Sequence, residues 1–325
     1  MKKRFIIVHG PTGVGKTEFI STMSQRFVFE VINGDVGQLY EPLSIGTAKP
    51  DWKNEKIPHH LFDRVTKPED FSVVSFRNEV AHIMQSCWER KSIPIIVGGS
   101  LFYGKSLFFP PLQPHSPVLK KDEYSATLAH KTTAELWETL KTSDPVRALE
   151  IHKNDRYRIE RALSVIHEGQ TKASQQRPFF DPLEGEALIL FLTRERASLY
   201  QRINERVNGM FKQGWIDEVK TLVGTEWENF LERKKLIGYT DILTYIKKEL
   251  QSQEAYESMI HSIQQKTRHY AKRQETFWRM FQKKLQEIPE RNRPLFVTGN
   301  LSNPHDCLMV QKVIKDFCLD DKKEK

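Results

Sequence analysis

Residues 9–20 read "HGPTGVGKTEFI". Gly10, Gly15, Lys16 and Thr17 complete the spacing G-x-x-x-x-G-K-[ST]. In that pattern backbone N–H groups cradle a phosphate chain, the lysine supplies a mobile positive charge, and the threonine hydroxyl can ligate magnesium. The apolar run Phe5–Val8 precedes it, and a helix-like segment over 14–26 follows, adding its positive N-terminal end. Strand, glycine-rich turn and helix in that order predict an α/β fold. The motif requires a bound phosphate chain but leaves open whose phosphate it is.

Working outward, "RFIIVH", "FVFEVING" and "SIPIIVGG" are short strand-like runs that each end near glycine, separated by helical segments such as 72–90. Alternation of this kind predicts a phosphate-loop-type parallel sheet flanked by helices. Functional groups then gather at the carboxyl ends of the strands, namely the phosphate loop, Asp35 and Gly98-Gly99-Ser100. Asp35 could stand beside a magnesium ion or act as a general base; equally, it could close an Asx-type turn after Asn33-Gly34. The double glycine permits close approach to a ligand, with the Ser100 hydroxyl as a donor, or it is simply a turn.

The pattern breaks at "FFPPLQPHSP", with four prolines between 110 and 117. Helical segments without a strand follow from about 118 to 178, and the apolar strand "EALILFLT" resumes at 186–193. The expected organisation is a core of residues 1–110 and 183–325 interrupted by a mostly helical insertion, 111–182. In the helix that begins "RERASLYQRINERVNGMFKQGW", Leu199, Ile203, Val207 and Met210 form a core stripe, while Arg202 and Arg206 share another face. A long basic helix spans about 253–285, "PLFVTG" is a late strand candidate, and the tail "DDKKEK" reads as frayed.

Composition excludes several classes. With 325 residues, 38% hydrophobic and 28% charged, the chain reads as globular rather than fibrous or disordered. Its longest apolar runs are too short to span a membrane. The basic start leads straight into the first strand, which is not the pattern of a signal peptide. Cys87, Cys307 and Cys318 lack zinc-ligand spacing and suggest no disulfide framework, so a reducing cytoplasm is the expected location and zinc is not expected. His59-His60 have no partner at metal spacing and read as local packing.

The net charge of +8 leans toward a polyanionic partner. Residues 266–279, "KTRHYAKRQETFWR", interleave Lys266, Arg268, Lys272, Arg273 and Arg279 with His269, Tyr270, Phe277 and Trp278. Such a face can pair with phosphates and stack on unpaired bases; alternatively its aromatics fill the core. In "NDRYRIERAL", 154–163, Arg158 and Arg161 flank an apolar set, an arrangement that most often marks a solvated face.

Taken in order, "GPTGVGKT", "INGDVGQLY", "IGTAKP", "PHHLFD", "IPIIVGGSLFY", "DPVRALEIHKNDRYRIERAL", "IGYTDILTYI" and "TRHYAKRQETFWR" resemble the tRNA dimethylallyltransferases, the bacterial branch of the tRNA isopentenyltransferases. The blocks span most of residues 5–285. The resemblance implies that the loop holds the diphosphate of dimethylallyl diphosphate rather than ATP. The N6 amine of the adenosine 3′ of the anticodon, in tRNAs reading codons that begin with U, displaces that diphosphate.

By family position, Asp35 is the base, and Ser100 and Arg206 act at the reacting centre. The resemblance assigns Gly10, Thr12, Gly13, Val14, Gly15, Lys16, Thr17 and Arg206 to the diphosphate, with Thr17 on Mg2+. It assigns Asp35, Val36, Gly37, Gln38, Ser100, Lys120, Tyr157, Arg158, Ile159, Glu160, Arg161, Lys272 and Arg273 to tRNA, with the insertion gripping the anticodon stem-loop of a monomeric enzyme. Three departures stand out: Val36 replaces the usual serine after the aspartate, Ser100-Leu101 the usual Thr-Gly, and "TFW" the usual "TWF". Two other readings compete: a phosphate-loop kinase of a nucleoside or small molecule, and an inactive tRNA-binding relative.

Overall fold

The computed structural model describes residues 2–24, 27–109, 124–169, 183–248 and 252–319. In chain order the elements are β1 (Arg4–His9), α1 (Lys16–Ser24), β2 (Phe29–Asn33), β3 (His59–His60), α2 (Val73–Glu89), β4 (Ile93–Val97) and α3 (Leu101–Phe108). Next come α4 (Tyr124–Ala129), α5 (Thr133–Ser143), α6 (Pro145–Glu150) and α7 (Arg156–Gly169). The chain continues through β5 (Glu186–Thr193), α8 (Arg196–Lys212), α9 (Trp215–Lys220), α10 (Glu226–Lys234), α11 (Tyr239–Lys247), α12 (Gln253–Gln286), β6 (Leu295–Asn300) and α13 (Pro304–Leu319).

The chain divides into two compact units, residues 1–108 with 183–325, and residues 109–182. In the first, six parallel strands run in the order β3-β2-β4-β1-β5-β6. Every residue of β1 and β2 is buried, because helices cover both faces of a parallel sheet and leave no polar alternation. Val97 of β4 is level with Val8 of β1 and Asn33 of β2. The three strands therefore finish at one height, with the β4 end between the other two. That register brings Gly98–Ser100 between the phosphate loop and Asp35.

The core below these ends includes Ile6, Val8, Val31, Ile95, Leu190, Leu199 and Ile203. The expected stripe on α8 is buried throughout, and each such side chain contributes about 1.5–3 kcal/mol by leaving water. The 34-residue α12 is N-capped by Ser252, whose side chain accepts from Ala255 N–H, and it carries Ala271 and Gln274 into the interior. Its aromatic residues divide: Trp278 is buried, whereas Tyr270 and Phe277 are half-buried.

The second unit has its own core of Leu128, Leu136, Leu140, Ala148, Ile159 and Leu163, among others. A reciprocal capping box, Thr132 with Glu135, starts α5, and buried Asp144 with Pro145 starts α6. Ile159 is 1% exposed in this core. Its side chain is taken up by the core that α7 shares with α5. Lys120 and the charged tail lie outside the described residues. Among the described residues no helix is long and apolar enough to cross a membrane.

Candidate active site

The phosphate loop joins β1 to α1 and bends where Gly13 (φ +80°) and Gly15 (φ +105°) adopt backbone conformations that side chains disfavour. Lys16 folds over it, donating to the carbonyls of Gly10 at 2.9 Å and Pro11 at 3.2 Å. Two arginines brace the outside: Arg202 Nε donates to Gly13 O at 3.0 Å, and Arg194 Nε to Val14 O at 3.2 Å. Val14 is buried, with its N–H turned to Pro11 O. Thr17 is exposed in the first turn of α1 and lines the larger cavity described below.

Asp35 follows β2 and N-caps the 3-10 turn Val36–Leu39, with Oδ1 accepting from Gly37 N–H at 3.3 Å. Asn33 fixes the preceding backbone: its Oδ1 accepts from Asp35 N–H at 2.8 Å, and its amide donates to the carbonyls of Asp35 and Leu61. The Asx-type turn is therefore present, and it leaves the second carboxylate oxygen uncommitted to that turn. Ser100 Oγ accepts from Val36 N–H at 3.1 Å, so the hydroxyl retained at position 100 supports the residue after Asp35.

Gln274 of α12 ties the loop to the β4 end. Its Oε1 accepts from Thr12 N–H at 2.9 Å, and its Nε2 donates to Gly99 O at 2.8 Å. The Thr12 N–H is thus held by Gln274, and the residue lines the site. The sequence reading missed Gln274. Its only signal was its place in the distinctive "YAKRQ" block. Buried His9, just before the loop, donates Nδ1–H to Gly98 O at 2.9 Å. Burial lowers its pKa to about 4, Gly98 opposing and Lys16 adding to the effect, so the ring is a neutral strut.

Two cavities meet here. One, of about 920 Å³, is lined by Lys16, Thr17, Gln38, Gly99 and Arg202. The other, of about 400 Å³, is mostly apolar, with Ile203, Val207, Met210, Trp215 and Tyr270 in its wall. Thr12, Asp35 and Arg206 line both. Burial lowers the pKa of Lys16 to about 8, the Asp35 carboxylate resisting and Arg206 adding to the fall. Burial likewise lowers that of Arg206, again against Asp35. The Tyr270 hydroxyl is pushed up by burial and by Asp35, while hydrogen bonds with Ser100 and Gln274 pull it back. One carboxylate thus stands where a cationic anion cradle opens into an apolar chamber.

Other expected residues lie elsewhere on the surface. Lys272 and Arg273 are exposed on α12, and Arg273, whose guanidinium lies 5.8 Å from the Tyr270 ring centre, lines the apolar chamber. In the second unit Tyr157 is 77% exposed, Arg158 pairs with Asp155, and Glu160 pairs with Arg156. His60 pairs with Glu30 at 2.8 Å and His59 Nδ1 lies 2.8 Å from Ile57 O. Glu30, His60 and Cys87 lie close together, but Arg90 and Ser92 already occupy both oxygens of Glu30, and burial pushes the Cys87 thiol up to about 12.

A sequence model of the IPP transferase family matches residues 38–281. The chain belongs to this family. Among relatives, a tRNA dimethylallyltransferase of Anoxybacillus flavithermus is 36% identical over 86% of this chain and 88% of its own. Another, of Alkaliphilus oremlandii, is 33% identical over 98% of both. A crystallographic eukaryotic dimethylallyltransferase acting on tRNA superposes with a TM-score of 0.74 at 26% identity, covering 97% of this chain and 79% of that one. The full-length tRNA isopentenylpyrophosphate transferase of Bacillus halodurans gives 0.63 at 26% identity over 99% of both chains.

Proposed function

We propose that this chain transfers the dimethylallyl group of dimethylallyl diphosphate to the N6 amine of an adenosine in tRNA, releasing diphosphate. The observation that carries the reading is the junction itself: Asp35 and Arg206 border both the cationic cradle and the apolar chamber. A leaving diphosphate belongs in the first. The allyl group and an unstacked adenine, both flat and apolar-faced, suit the second.

The chemistry follows from that placement. As the bond between carbon and the diphosphate oxygen breaks, negative charge grows on the leaving oxygens. Lys16, Arg206 and the N–H groups at the start of α1 stabilise it without reorganising. An aromatic amine is a weak nucleophile, and Asp35 accepts its proton as the new C–N bond forms. The exposed Thr17 hydroxyl and the Asp35 carboxylate are hard oxygen donors on one cavity wall, a set that fits Mg2+. When bound, that ion would neutralise diphosphate charge, with Thr17 as its ligand. Arg273, Lys272, the 35–38 turn and the exposed Tyr157 and Arg158 of the second unit are the proposed tRNA contacts, and the protein acts as a monomer.

The test is to incubate the protein with labelled dimethylallyl diphosphate, magnesium and bacterial tRNA and to locate the label. Label in N6-modified adenosine next to the anticodon is expected. Phosphate transfer from ATP to a small molecule, with no prenyl transfer, would overturn the reading.

A further inference from the structure

We propose that Glu218 is a positioning residue for the transfer reaction: its carboxylate fixes the loop 44–48 and, through that loop, the turn that aims Asp35. The inference rests on the function proposed above. Ser44, Ile45 and Gly46 turn three successive amides toward one point, a concave arrangement suited to an anion. Glu218 of α9 fills it. Oε2 accepts from Ser44 N–H at 3.0 Å and Ile45 N–H at 2.6 Å, and Oε1 from Gly46 N–H at 3.3 Å and the Tyr239 hydroxyl at 2.7 Å. Four donors on one side chain are charge-assisted bonds, stronger than those a neutral acceptor would make.

The loop then grips the catalytic turn. Gln38 Nε2 donates to the carbonyls of Thr47 and Ala48, each at 3.1 Å. Thr47 Cγ2 presses on Gly37, where a Cβ would lie only 2.9 Å away. Gly37 N–H is the group that holds Asp35 Oδ1. Ala48 sits in the left-handed region, φ +49°, a conformation that persists in a non-glycine residue only when its surroundings over-determine it. Ala48 N–H donates to Ile45 O at 2.9 Å, and the Ile45 amide is one of those that Glu218 holds. Gly46, Thr47 and Tyr239 also line the apolar chamber that Asp35 borders. The contacts therefore run from Glu218 to the reacting centre without a break.

The test uses the full chain and single-turnover transfer of labelled dimethylallyl groups to tRNA. Glu218→Gln keeps the size of the side chain but puts an amide among N–H donors. The expected result is a fall in the transfer rate on the order of 100-fold, the cost of displacing a catalytic group by about an ångström, with the KM for dimethylallyl diphosphate unchanged. In an Asp35→Ala background the same substitution should have no further effect, because it acts through Asp35. Tyr239→Phe, which removes one donor of four, should show a smaller rate loss with the same dependence on Asp35, and it carries the test if Glu218→Gln does not fold. Equal losses in both backgrounds, a loss confined to KM, or wild-type rates would each overturn the inference while wild-type transfer stands. Absence of transfer by the wild-type protein would instead overturn the function on which it rests.

Discussion

Lys16 sits in a cradle that weakens its own hold on a proton. Burial brings its pKa to about 8, yet a diphosphate binds the ammonium form. The affinity for diphosphate should therefore fall as pH rises through about 8, and bound diphosphate should raise the lysine's pKa in return. Calorimetric titration of inorganic diphosphate from pH 7 to 9 should show the decline in the wild type and lose most of it in Lys16→Met. An identical decline in both would remove Lys16 as its source. Asp35 carries a separate expectation. Its Oδ1 is held by Gly37, and Asp35→Ala removes the proposed proton acceptor while leaving the cradle in place. Turnover should drop by about 10²–10⁴ with tRNA affinity retained, as read by filter binding beside a rate assay. Normal turnover would mean that another group takes the proton.

Glu30 of β2 joins three elements: Arg90 after α2 and Ser92 before β4 bond to its carboxylate, and so does His60 of β3. Burial opposes its ionisation, but these hydrogen bonds outweigh burial and hold its pKa at about 2 against an ordinary 4.5. A depressed carboxylate pKa contributes stability that is complete above the ordinary value and lost as pH falls toward 2. Glu30→Gln should cost about 1–3 kcal/mol at neutral pH, seen as a lower melting temperature. The gap to the wild type should narrow steadily below about pH 4.5, and a gap independent of pH would show that the charge is not the source. This network also marks what the sequence concealed. β1, β2, β4 and β5 were legible because buried parallel strands are predominantly apolar runs. β3 was not, since His59 and His60 become a strand only by pairing with Val31 and Ile32. Asp35 and Ser100 could be found from strand ends, whereas Gln274 acts on Thr12 from 262 residues away, a proximity that no local pattern encodes. α13 carries no sequence motif that would mark it.

At the scale of the molecule, the chain carries a net charge of +8 and folds as two units with separate hydrophobic cores. The exposed cations near the chamber explain why a basic, aromatic-bearing helix accompanies a small anion site. Lys235, held in a left-handed conformation at the end of α10, and Arg273 on α12 both line the apolar cavity, and Lys272 is exposed next to Arg273. A flipped adenosine brings its flanking phosphates with it, and phosphates met by lysine and arginine release counterions. The logarithm of tRNA affinity should therefore fall linearly with the logarithm of salt concentration. Each phosphate contact in an unpaired loop contributes a slope of about −0.7. Replacing Lys272 and Arg273 together by glutamine should make the slope shallower by about 1.4, two such contacts, while the KM for dimethylallyl diphosphate stays the same. Weaker tRNA binding with an unaltered slope would show that these residues support the chamber wall rather than touch the RNA backbone. A salt-independent wild type would remove the electrostatic account of tRNA binding altogether.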